Sequence, residues 1–161
     1  ERCDMVAGQP KGVQETFSTC WLAGGPHYQS FDGKAFDFMG TCTYTLTTIC
    51  NPDPGLPAFS VEVKKEKKEN SKVSSIDSIT IRVDNITVTA VQSENGMVRV
   101  NNHRSHLPIS LSHGKLRIYQ KGKSMLIQSN FNLKVLYNWH DHVVIKLPAT
   151  LSGKVCGMCG N

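Results

Sequence analysis

The chain has 161 residues, of which 39% are hydrophobic and 19% charged, and a net charge of +5. This length suits one domain, with room for a fragment of a neighbour, and buries roughly two thirds of its unfolded surface. No apolar run approaches the ~18 residues of a membrane span, and the basic residues, spread out except for one cluster, lack the aromatic platforms of a nucleic-acid binder. No signal peptide opens the sequence, so the expectation is a segment that starts inside a larger precursor or has already been processed.

In chain order, residues 1–19 read as the tail of a preceding cysteine-rich module plus a linker, because Ala7-Gly8-Gln9-Pro10-Lys11-Gly12 has no periodicity and little to bury. From Tyr28 onward a period of two dominates. Phe36 and Phe38 flank Asp37, and Tyr44 and Leu46 alternate with Thr45 and Thr47. Phe59, Val61 and Val63 alternate with Ser60, Glu62 and Lys64. Ile79, Ile81 and Val83 lead through Asp84-Asn85 to Ile86, Val88 and Ala90. Such alternation predicts half-buried antiparallel strands, apolar on one face and polar on the other.

Asn95-Gly96 predicts a hairpin between Val91 and Val98. Further strands are expected over 97–100, 107–111, 115–119, 125–128 and 133–137. Asn138-Trp139-His140-Asp141 reads as a turn into Val143 to Leu147, and Pro148 ends that strand. About eleven short strands at regular spacing, with no amphipathic helix and no internal repeat, predict an all-β fold built as a two-sheet sandwich or barrel.

Six cysteines, Cys3, Cys20, Cys42, Cys50, Cys156 and Cys159, sit near the two ends, and none lies between Cys50 and Cys156. Their even number favours an oxidising compartment, and if they pair, the start must pair with the end around a long β segment. The sequon Asn85-Ile86-Thr87 agrees with secretion and makes Asn85 a candidate glycosylation site.

Cys156-Gly157-Met158-Cys159 also has CxxC spacing. Thiol–disulfide exchange would need a βα context that is missing here, and zinc would need a second ligand pair at similar spacing. His103 with His106, and His140 with His142, are the other metal-capable pairs, the second expected to share one strand face. Solvated turn histidines are the simpler reading. There is no GxSxG elbow and no HExxH, so a hydrolase reading fails. Lys64, Lys65, Lys67 and Lys68 form the one charge cluster, either a solvated hairpin tip or a contact for an acidic partner such as a sulfated glycan.

Cys20-Trp21, Gly24-Gly25-Pro26-His27-Tyr28, Phe31-Asp32-Gly33, Phe36, Phe38-Met39-Gly40 and Cys42-Thr43-Tyr44 resemble the opening of a von Willebrand factor type D domain. Val155-Cys156-Gly157-Met158-Cys159-Gly160-Asn161 resembles its CGLCGN segment. The resemblance covers residues 20–161, with the domain's C-terminal part expected beyond Asn161. Phe59 to Lys64 and Leu107 to Leu111 are most similar to D domains of a sperm-surface adhesion protein and, next, of a secreted Fc-binding protein.

The resemblance implies a non-enzymatic β-sandwich module of a large secreted or cell-surface glycoprotein. It implies neighbouring cysteine-rich modules, and zona pellucida or mucus glycoproteins as ligands. It pairs Cys20 with Cys159 and Cys50 with Cys156, and sends Cys42 to a cysteine beyond Asn161, leaving the partners of Cys42 and Cys3 open. It assigns calcium to a site that includes Asp32 and Asn161, with its other ligands further on. Many members carry Gly-Asp-Pro-His, where the Asp-Pro bond can break autocatalytically. Gly25 replaces that aspartate, so no self-cleavage before Pro26 is expected.

Overall fold

The computed structural model describes residues 2–6, 9–13, 17–23, 27–37, 40–51, 54–67 and 74–160. Nearly every element is an antiparallel strand. In chain order they are β1 (Arg2–Val6), β2 (Gln9–Val13), β3 (Phe17–Ala23), β4 (His27–Gln29), β5 (Ala35–Asp37), β6 (Thr43–Ile49) and β7 (Phe59–Lys67). Then come β8 (Ser74–Val83), β9 (Ile86–Val91), β10 (Met97–Val100), β11 (His103–His106), β12 (Ile109–Leu111) and β13 (Leu116–Lys121). β14 (Ser124–Ser129), β15 (Lys134–Tyr137), β16 (Val143–Pro148) and β17 (Val155–Cys156) complete the set. A 3₁₀ turn at Ala149–Leu151 follows β16. Among the described residues no helix is long and apolar enough to cross a membrane.

Two large sheets result. One has seven strands in the order β11-β10-β9-β8-β7-β6-β17, and the other eight in the order β12-β13-β14-β15-β16-β3-β4-β5. The sheet order shows how the chain builds them. Strands β6 to β11 form one meander and β12 to β16 the next, while β3 joins β16 in the eight-stranded sheet and β17 joins β6 in the seven-stranded one. One continuous core lies between the inner faces, with Leu46, Val61, Ile79 and Ile81 from the first sheet and Ile118, Ile127, Val135 and Ile145 from the second.

Several strands follow their alternation. Asp84-Asn85 closes a two-residue hairpin, with Val83 opposite Ile86. The Asn95-Gly96 hairpin forms too, Gly96 taking a φ of +83° and Thr89 pairing with Arg99. Other expectations needed correction. There are more strands than about eleven, because short strands such as β4, β11 and β17 carry too few residues to show a period. Within the segment read as the tail of a preceding module plus a linker, β1 and β2 pair with each other as a separate two-stranded sheet. Phe36 was expected to face a core but is 47% exposed on the edge strand β5, stacked on Tyr28 at 5.4 Å between ring centroids. Phe38 lies outside the described residues.

Trp139, expected in a turn, is 2% exposed. Its backbone takes a φ of +61°, and its indole N–H donates to the Met97 carbonyl at 3.0 Å. The ring therefore ties the β15–β16 loop to β10 of the opposite sheet. Asn138 holds that loop in shape, its side-chain oxygen accepting the N–H groups of His140, Asp141 and His142 at 2.9, 3.0 and 3.1 Å.

Candidate functional site: the disulfide clamp

The clamp is built on an irregularity in β6. Against β7, Thr45 faces Glu62 but Thr47 faces Val61, so Leu46 is an extra residue in the ladder. Such a bulge rotates the strand and re-aims its groups. Thr47 turns inward, fully buried, where alternation had placed it outside. On the other edge of β6, β17 pairs first, with Cys156 opposite Thr48. The chain then leaves the ladder at Gly157 and uses the two carbonyls of the bulge. Met158 N–H donates to Thr45 at 3.0 Å and Cys159 N–H to Leu46 at 2.8 Å. Gly157 has a φ of +117°, and a Cβ there would lie 2.7 Å from the Leu46 oxygen and 2.8 Å from that of Thr45. Only glycine fits this approach.

The two CxxC cysteines therefore point to different places. Cys156 bonds to Cys50 just past the end of β6, with Cα atoms 5.4 Å apart and a separation of 106 residues. Cys159 bonds to Cys20 on β3 of the opposite sheet, with Cα atoms 5.7 Å apart and a separation of 139 residues. The first bridge is exposed and stitches one sheet's edge; the second is fully buried and crosses the core. Both pairings implied by the family resemblance are present, and the start is joined to the end as the cysteine distribution required.

The Phe31-Asp32-Gly33 turn docks on the same corner. Phe31 N–H donates to the Cys159 carbonyl at 2.8 Å, and Gly33 N–H closes the turn on Ser30 at 3.0 Å. Asp32 is exposed, and its carboxylate lies 3.5 Å from where a Cβ of Gly160 would be. The Asp32 end of the expected calcium site is thus beside the Cys159-Gly160 end, while Asn161 lies outside the described residues. Calcium takes six to eight oxygens. Among the described residues no three His, Cys, Asp or Glu side chains converge on a metal position, so these alone do not complete such a sphere.

The other candidates are scattered. Cys42 is exposed and forms no disulfide among the described residues, its N–H donating to the Tyr44 hydroxyl at 3.2 Å. Cys3 is on β1 opposite Gly12, and its side chain lies outside the described part. Asn85 is exposed on its two-residue turn, open to a glycan. His103 and His106 are exposed on the edge strand β11; His140 and His142 sit in the Asn138 loop, not on a strand face, with His140 Nδ1 hydrogen-bonded to Gln92 at 2.9 Å. His27 meets Asp37 at 2.7 Å, while Gly25 and Pro26 lie outside the described residues.

The lysine cluster does not form a single patch. The alternation of β7 runs on from Val61 and Val63 to Lys65, which points inward at 2% exposure, and burial there lowers its pKa; the register shift beside it leaves Asp77 of β8 as the extra residue. Lys64 is exposed but flanked by Glu66 at 3.6 Å and Asp77 at 4.0 Å. The Lys67 side chain and Lys68 lie outside the described residues. Charge is also less evenly spread than it looked. Residues 1–94 hold 12 acidic and 9 basic residues, while 95–161 hold 1 and 9, a balance of −3 against +8 that sums to the net +5. That count was available from the sequence.

The chain is thus a two-sheet β-sandwich module cross-linked between its sheets. The comparisons give its family. The profile of the von Willebrand factor type D domain matches residues 20–161, and the chain belongs to that family. Human IgGFc-binding protein is 43% identical over 161 residues, covering all of this chain. Mouse alpha-tectorin is 36% identical over 89% of the chain, and mouse zonadhesin 34% over its whole length. The chain spans only 3%, 7% and 3% of those relatives in turn.

Proposed function

We propose that the chain is a non-catalytic, extracellular adhesion and structural module of a large multidomain glycoprotein. The observation that carries this is the pair of bridges, which use both CxxC cysteines to lock the sheets together. Such bonds persist in oxidising compartments. Thiol–disulfide exchange would need Cys156 and Cys159 to pair with each other, whereas Cys156 is bonded to Cys50 and Cys159 to Cys20. Blocking free thiols and mapping peptides without reduction tests the point: a Cys156–Cys159 bridge, or blocked thiols there, sinks the clamp.

Two finer readings differ in partner. A zonadhesin-like role would be sperm adhesion to zona pellucida glycoproteins. The higher identity to IgGFc-binding protein favours a structural, multimerising module among mucus glycoproteins, with the Fc of IgG as a further candidate. Biosensor binding of the chain to zona glycoproteins, mucins and Fc decides between them. Binding to none of the three leaves a spacer role and removes direct adhesion.

Calcium held in part by Asp32 and Asn161 belongs to the same reading. Calorimetric titration should show binding that Asp32→Ala weakens; equal binding by both chains removes Asp32 as a ligand. Exposed Cys42 would serve as a bridge to a neighbouring cysteine-rich module.

A further inference from the structure

The two sheets differ on the faces turned away from the core. Across the seven-stranded sheet, one cross-strand row reads Glu62, Thr80, Thr89, Arg99 and Arg104. It is polar, and its charges are matched: Arg82 pairs with Glu62, and Arg99 and Arg104 with Glu94. This is how a face that meets only water is expected to look.

The eight-stranded sheet is different. Its outer row reads Tyr119, Leu126, Leu136, Val144 and Trp21, on five adjacent strands. Leu126 is 5% exposed, and the other four are half-buried. The neighbouring row contains Arg117, Gln128, Lys134 and Lys146. Among the described residues none of these three cations has an ion-pair partner; Lys134 lies over the Phe17 ring at 5.2 Å. No acidic residue occurs on any of the five strands that carry the two rows.

We propose that this face is a docking surface for an amphipathic helix with an acidic flank, carried by a protein partner. The stripe crosses the strands, so its occupant is an elongated element laid on the face and not a strand added at an edge. Four strand gaps of about 4.8 Å give a length of about 19 Å, the span of about 13 helical residues. The cationic row is offset by two residues, about 6.7 Å, which reaches the flank of a helix centred on the apolar stripe. The aliphatic centre of the stripe, Leu126, Leu136 and Val144, favours a side-chain ridge over a sugar, which would call for aromatic or polar platforms. A second copy fits poorly, because none of the five strands carries an acidic residue to meet the partner's cationic row. The surface does not depend on which parent protein carries the module.

The test uses two synthetic helical peptides of about 14 residues. Both have a leucine ridge; one carries a glutamate flank and the other a lysine flank. At low ionic strength the glutamate peptide should bind the wild-type chain saturably, gain helicity, and outcompete the lysine peptide by at least about tenfold. The R117E/K134E/K146E chain should reverse that preference, and Leu136→Ser should weaken both peptides. Equal binding of the two peptides to the wild-type chain overturns the proposal, even if the triple variant does not fold. So does failure of the glutamate peptide while heparin binds and is lost in the triple variant, which would make the face a glycan site.

Discussion

Gly157→Ala is the sharpest test of how the CxxC is held. The new Cβ would sit 2.7 and 2.8 Å from two backbone oxygens, closer than real contacts allow, at a φ of +117°. Backbone atoms of a bulged central strand cannot yield cheaply, so the segment must lift off. Strain at such a φ costs on the order of 1–3 kcal/mol. Losing the Met158 and Cys159 hydrogen bonds adds about 1 kcal/mol each. The sum, about 3–5 kcal/mol, is a large share of the 5–15 kcal/mol typical of a domain.

Gly160→Ala is the control. It also has positive φ, +71°, but its nearest neighbour would be at 3.5 Å, an ordinary contact. Its cost should stay near the 1–2 kcal/mol of a left-handed residue. Urea denaturation with disulfides intact measures both, and non-reducing peptide mapping shows whether Cys159 still finds Cys20. If Gly157→Ala costs no more than Gly160→Ala, the bulge carbonyls do not hold the segment and the account of the clamp is wrong.

Other outcomes follow from single side chains. Mild reductant without denaturant should open exposed Cys50–Cys156 well before buried Cys20–Cys159, as read by timed alkylation. Loss of the longer bridge should then cost about 5 kcal/mol in the chain-entropy model. Thr47 is fully buried, and its hydroxyl has no partner among the described residues, so Thr47→Val should raise stability by about 1 kcal/mol in the same urea assay. Trp139→Phe removes the bond to the Met97 carbonyl and should cost about 1–3 kcal/mol, whereas exposed Phe36→Ala should cost far less. Lys65 has a lowered pKa when folded, so the unfolded chain binds more protons between that value and about 10.4. Stability should therefore rise with pH through that window, and Lys65→Met should flatten the rise.

The all-β class, the hairpins at Asp84-Asn85 and Asn95-Gly96, and the joining of the chain's start to its end were legible in the sequence. Those features depend on period two, on turn residues and on cysteine placement, all of which are local or countable. The family resemblance supplied the two pairings, which the cysteine positions alone left open. The remaining features were decided by tertiary structure. One extra residue in β6 buried Thr47 and freed two carbonyls, and another in β8, Asp77, brought Ile76 as well as Ile79 into the core. A bulge leaves almost no trace in composition, because it is settled by what the neighbouring strand and the core will accept. Trp139 entered the core from a loop because Asn138 shaped its backbone. The stripe from Tyr119 to Trp21 draws each residue from a different strand, so no window along the chain contains it. Cross-strand register, fixed only when the two sheets pack, is what brings those five side chains into line.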